Sequence, residues 1–175
     1  MTESAPQKLS LSELNGLPPS GAVEFFLHCC HCRAWAEAMA AGRPYGGIEQ
    51  LLSAADRHWA GADEIMILEA FAAHPRIGDR RALRQKFTPA AKEQGQVAQA
   101  SDRVIDALAD GNEAYYRRHG FIFIVCASGK SAEQMLELLR ARLGNDRRRE
   151  LQNGAAEQGK ITALRLRQWL DTERN

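Results

Sequence analysis

Of the five histidines in the chain, His74 has the surroundings best suited to proton transfer. It opens the run His74-Pro75-Arg76-Ile77-Gly78-Asp79, in which proline fixes the chain direction and glycine permits a tight turn. Arg76 and Asp79 can bind each other or the turn. An unperturbed imidazole titrates at about 6.5, near working pH, so a histidine held at such a turn can serve as both acid and base. The plain structural alternative is a histidine at a helix C-terminus, interacting with the dipole. Three other stretches could carry chemistry. Lys92-Glu93-Gln94, taken alone, is a solvated helical face. The run Phe121-Ile122-Phe123-Ile124-Val125-Cys126-Ala127 is core by composition. Arg165, between Leu164 and Leu166, is an arginine that can snorkel to water.

Helices must position these residues. The first eight residues are polar and are expected to fray. Ser10 with Glu13 reads as a capping box opening a short helix, which Gly16 and Pro18-Pro19 end. Ser20 or Gly21 can start the next helix, carrying Val23, Phe26, Leu27 and Cys30 at helical spacing, and the helix continues through Arg33 to Met39. Gly42 to Pro44 breaks it. Ile48, Leu51, Leu52 and Ala55 give another amphipathic helix, and Asp63 can cap a third through Ile65, Leu68, Phe71 and Ala72. That helix must end near His74, because Pro75 disfavours helical backbone in the residue before it.

Further along, Thr88-Pro89 starts a helix to about Ala100, and Ser101 restarts the pattern with Val104, Ile105, Leu108 and Ala109 until Gly120. The 121–127 run has the composition of a strand, yet no partner strand exists in the sequence. It is therefore expected to be a buried extended segment whose peptide groups are free to bond something else, such as a ligand. Ser131 with Gln134 caps a helix to Gly144, and Asn145 or Asp146 caps a last one that holds Leu151, Ala155, Ile161, Leu164 and Trp169. With no repeat and no linker, residues 1–175 read as one all-α domain: a compact multi-helix bundle with one short buried extended segment at about 121–127.

The totals narrow the function classes. The 23 basic and 22 acidic side chains leave a formal charge of +1, so no strong field draws nucleic acid or an anionic membrane. Arg140, Arg142 and Arg147-Arg148-Arg149, interspersed with Asp146 and Glu150, read as a solvated helical face rather than a nucleic-acid site. No leader pattern and no long apolar stretch is present, which makes the cytoplasm the expected location. On a continuous helix His28, His31 and Cys32 would share one face and could hold zinc, but no second Cys/His pair follows at finger-like spacing. Core packing is the simpler reading for these cysteines, and no metal is expected. Cys126 lies in the most apolar run, a setting that does not activate a thiol as a nucleophile. Nothing in the residues fixes an oligomeric state, a homodimer included.

The His74–Asp79 run, the Glu93-Gln94 pair, the Gly120–Ala127 run and the late Leu164-Arg165-Leu166, in that order, resemble the 2-oxo-4-hydroxy-4-carboxy-5-ureidoimidazoline (OHCU) decarboxylases. Trp35-Ala36-Glu37, Arg43-Pro44-Tyr45 and the Glu69-Ala70-Phe71 approach to His74 extend the resemblance over almost the whole chain. It implies a compact helical enzyme that forms S-allantoin in urate degradation, with His74 as catalytic acid/base and Glu93 as its partner. It further implies a substrate pocket lined by Pro75, by Ala90 to Gln94 and by the backbone of Phe123, Ile124, Val125, Cys126 and Ala127, with Arg165 reaching in. Two departures stand out: Ala90 occupies a position where the family commonly has serine, and Ile122 one where it commonly has proline.

The implied substrate carries a carboxylate and a hydroxyl on one ring carbon beside a carbon–nitrogen double bond. Loss of carbon dioxide leaves an electron pair that the adjacent imine accepts, so the reaction is expected to need no cofactor. Glu93 could fix the imidazole tautomer and stabilise its cation. Arg165 would anchor a ureido or ring oxygen, since a tight grip on the departing carboxylate would stabilise the ground state and slow its loss.

Overall fold

The computed structural model describes residues 8–75, 80–87 and 102–171. Among them are nine helices: α1 Leu11–Gly16, α2 Pro19–Cys29, α3 Arg33–Ala41, α4 Ile48–Ala60, α5 Glu64–Ala72, α6 Arg80–Phe87, α7 Asp102–His119, α8 Ala132–Leu143 and α9 Arg147–Trp169. The protein is all-α. No described helix is long and apolar enough to cross a membrane. The described residues of Met1–Ala73 and Ala155–Asn175 form one compact unit, and those of His74–Gly154 form a second.

The caps readable from the sequence set the helix starts in the first unit. Ser10 Oγ accepts from the Glu13 N–H at 3.1 Å while the Ser10 N–H donates to Glu13 Oε1, closing the box at α1. Asp63 Oδ1 accepts from the Met66 N–H at 2.9 Å and starts α5. The second helix begins at Pro19, just ahead of the expected Ser20 or Gly21, because proline at the first helical position costs no hydrogen bond. The helix expected to run on through Cys30 to Met39 is instead broken. Cys30 and Cys32 are extended, and Cys32 becomes the N-terminal cap of α3.

The break lets α2 and α3 pack against each other, with the Phe26 and Trp35 rings edge to face at 5.9 Å. Trp35 is 1% exposed and donates its indole N–H to the Ala55 carbonyl at 3.1 Å. Arg43 donates to the carbonyls of Leu14, Asn15 and Leu17 and so closes the end of α1. A two-residue parallel pair that the sequence does not announce, β1 Leu9–Ser10 with β2 Leu170–Asp171, joins the start and finish of this unit. Two residues are too few to leave a periodicity.

In the second unit α7 is central. Gly111 lies so close to Leu139 of α8 that a Cβ there would sit 2.5 Å from Leu139 Cδ2. Gly120 at φ +79° ends α7, its N–H returning to the Tyr116 carbonyl at 2.8 Å. Ser131 and Gln134 form the expected capping box at α8, and Asp146 accepts from the Arg149 N–H at the start of α9. Helix α6 was not expected. It buries Leu83 and is tied along α7 by exposed ion pairs, Arg80 to Asp106 at 2.6 Å and Arg84 to Asp102 at 2.9 Å. Pairs of that kind stabilise by at most about 1 kcal/mol each.

Candidate active site

His74 follows Ala73, the C-terminal cap of α5, so Pro75 stops the helix where the sequence placed the stop. The imidazole is half-buried and Pro75 is exposed. A side chain in that setting can reach both protein and a small solute. Glu93, Ala90 and Gln94, the helix expected from Pro89, and Arg76–Asp79 lie outside the described residues. Arg165 belongs to the first unit, where it is half-buried and donates from Nη1 to the Cys29 carbonyl at 3.2 Å, at the end of α2.

The 121–127 segment belongs to the second unit, as His74 does. Residues 122–127 form neither helix nor strand, and Phe121, Ile124 and Cys126 are buried while the residues between are half-buried. The expectation that its peptide groups are all free needs correction. Arg142 Nη1 donates to the Ile124 carbonyl at 2.7 Å, Lys130 Nζ to the Cys126 carbonyl at 2.8 Å, and the Lys130 N–H to the Ala127 carbonyl at 3.1 Å. Buried carbonyls without a ladder need partners, and nearby cations supply them. Among the described residues no hydrogen bond engages the main-chain groups of Phe123 or Val125. The protein thus holds the carbonyls of Ile124, Cys126 and Ala127, beside the main-chain groups of Phe123 and Val125 that no described residue engages.

The sequence missed what holds the segment. Arg142 and Glu150, assigned there to a solvated face, form a buried ion pair at 2.7 Å, with the Arg142 side chain 11% and Glu150 0% exposed. Glu150 Oε1 also accepts from the Tyr115 hydroxyl at 2.7 Å. Its Oε2 accepts from Asn145 at 2.9 Å and Asn153 at 2.7 Å. Burial pushes this carboxyl up, but the hydrogen bonds from Asn145, Tyr115, Asn153 and Arg142 outweigh it and hold it below the ordinary carboxylate value. Burial, with the bond to Glu150, raises the Tyr115 phenol. The Arg142 guanidinium also lies over the Phe123 ring, 4.6 Å from its centroid. The one sequence hint was a glutamate among arginines at the start of a helix, which by itself looks solvated.

His119, 2% exposed, packs on the rings of Tyr115 at 4.5 Å and Phe121 at 5.9 Å. Burial lowers its imidazole below the ordinary 6.5, and the nearby Glu150 charge only partly opposes this. The unfolded chain therefore binds a proton that the folded one resists. Stability from this group is complete above the unfolded value and declines as pH falls from there toward the lower folded value. The melting temperature should fall on acidification below about pH 6.5, and His119→Phe should remove that part of the slope. Superimposable pH profiles for the two proteins would discard this assignment.

The break after Cys29 also removes the helical face on which His28, His31 and Cys32 were to meet. Burial lifts the Cys29 and Cys30 thiols to about 12, far from the thiolate a metal or an electrophile needs. Among the described residues no group of three or more His, Cys, Asp or Glu side chains could hold a metal ion.

Known proteins share this arrangement of helices. The family model for OHCU decarboxylase matches residues 15–167. The uric acid degradation bifunctional protein TTL of Arabidopsis thaliana is 34% identical over 149 residues, covering 79% of this chain and 44% of that protein. The chain thus spans under half the length of that relative. The 2-oxo-4-hydroxy-4-carboxy-5-ureidoimidazoline decarboxylase of Amia calva is 29% identical, with 90% of this chain and 93% of that protein covered. A crystal structure of OHCU decarboxylase in the presence of (S)-allantoin superposes with a TM-score of 0.67 at 31% identity, covering 82% of this chain and 94% of that one.

Proposed function

The chain belongs to the OHCU decarboxylase family, and from that premise we propose that it decarboxylates 2-oxo-4-hydroxy-4-carboxy-5-ureidoimidazoline to S-allantoin, with residues 1–175 acting as one functional domain. The observation that carries the reading is the family match over residues 15–167, which includes every residue the sequence singled out for chemistry. The half-buried imidazole of His74 beside exposed Pro75 supports it. So does a segment in the same unit that leaves the peptide groups of Phe123 and Val125 for a ligand.

In this mechanism the carbon–nitrogen double bond of the substrate accepts the electrons released with carbon dioxide. The work left to the protein is orientation and proton handling. His74 takes the hydroxyl proton as carboxylate is lost and delivers it to one face of the enediol-like carbon, which fixes the S configuration, while the nitrogen that received the electron pair takes its proton from water. Glu93 is its partner, holding one imidazole tautomer and stabilising the cation. The Phe123 and Val125 peptide groups meet the N–H and C=O edge of the ureido group. Arg165 is assigned in the same reading to a ureido or ring oxygen.

The test is to generate the unstable substrate in situ from urate with the two preceding enzymes, add this protein, and follow the optical activity. The expected result is accelerated formation of the S enantiomer. Racemic allantoin at the uncatalysed rate would refute the proposal.

A further inference from the structure

We infer that Arg142 is a positioning residue for this reaction: gripped by the buried Glu150 carboxylate, it clamps the Ile124 carbonyl and the Phe123 ring and so sets the peptide groups of Phe123 and Val125 that the substrate uses. The inference rests on the decarboxylase reading and names a residue that acts through the main chain rather than on the substrate.

Geometry carries it. A single planar guanidinium makes three different contacts: Nε to Glu150 at 2.7 Å, Nη1 to the Ile124 carbonyl at 2.7 Å, and its face over the Phe123 ring at 4.6 Å. Glu150 cannot rotate away, because each of its oxygens accepts two hydrogen bonds from residues of α7, α8, α9 or the turn between the last two. The fixed end of this arrangement is therefore built on rigid helices, and its free end holds the one irregular stretch assigned to substrate. Without ladder bonds, the segment is held at its far end by Lys130 on the Cys126 and Ala127 carbonyls and, beside Phe123 and Val125, by Arg142 on the Ile124 carbonyl.

The cost of the arrangement argues that it is not packing alone. A buried ion pair is frequently no more stabilising than apolar side chains of the same volume. Arg142 Nη2 is moreover buried with no hydrogen-bond partner among the described residues. A fork that reaches Glu150 and Ile124 together, at the expense of a stranded nitrogen, is what a fixed main-chain geometry requires. Lysine could not reproduce it, since a single ammonium lacks the two divergent donors.

The experiment is steady-state kinetics on Arg142→Lys and on the double variant Arg142→Met/Glu150→Met, with melting followed for each. The double variant removes the clamp without stranding a charge, so it tests the inference even where the single variant folds poorly. The ureido edge does not react, and its contacts act in ground and transition states alike. The expected result in folded protein is a KM raised about tenfold with kcat changed less than about threefold. A merely structural role would reduce the amount of active enzyme, lowering kcat and leaving KM unchanged. That pattern, or wild-type kinetics in both variants, overturns the inference while wild-type turnover keeps the decarboxylase reading intact. No turnover by the wild-type protein overturns both.

Discussion

Replacing His74 with alanine should lower turnover of the ureidoimidazoline substrate by about 10²- to 10⁴-fold, the range a general acid/base supplies. The folded state should scarcely notice. His74 is half-buried at the end of α5 rather than packed in either core, and Pro75, which stops the helix, is retained. The melting temperature should therefore stay close to that of the wild type, in line with the small effects of most substitutions outside a packed core. KM should change little, because the imidazole moves protons rather than gripping the ureido group. Steady-state kinetics beside a thermal melt checks both halves. Near-normal kcat in a well-folded His74→Ala protein removes the proton-transfer mechanism.

Glu150→Ala should act on stability, with a cost of about 3–5 kcal/mol from breaking a buried ion pair on one side. The substitution strands a guanidinium that is 11% exposed and leaves the Tyr115 hydroxyl and the Asn145 and Asn153 amides without their acceptor. The pH dependence has a definite sign. The folded carboxyl lies below its ordinary value of 4.5, so its contribution is whole above that value and fades as pH falls toward the folded one. Urea unfolding at neutral pH measures the main effect. A loss under about 1 kcal/mol would mean that Glu150 is no more than an ordinary surface carboxylate.

The contrast between His74 and Glu150 shows what the sequence could express. Local chemistry was legible: Ser10 with Glu13, Asp63, Ser131 with Gln134, the stop before Pro75 and the positive-φ Gly120 all act within one turn of the chain. His74 could be singled out because its turn is written in adjacent letters. The break between α2 and α3 was not legible, since Cys30 and Cys32 fit a helical pattern and become extended only because the Phe26 and Trp35 faces must meet. Helix α6 escaped because Leu83 is its lone buried side chain among the described ones, too little for a periodicity. Arg142 and Glu150 escaped for a different reason. Charges read as solvated until tertiary structure brings Tyr115, Asn145 and Asn153 around them, and no spacing along the chain encodes that meeting.

The four thiols give the molecule a built-in clock. None of them is in a disulfide and all are buried, three of them in the first unit and Cys126 in the second. With Cys29 and Cys30 at about 12, essentially no thiolate exists while the structure is closed. An alkylating reagent must wait for a transient opening, so labelling at Cys29 or Cys30 times excursions of one unit and labelling at Cys126 times those of the other. The breathing of each half is recorded by separate atoms of the native chain, with no dye or tag introduced.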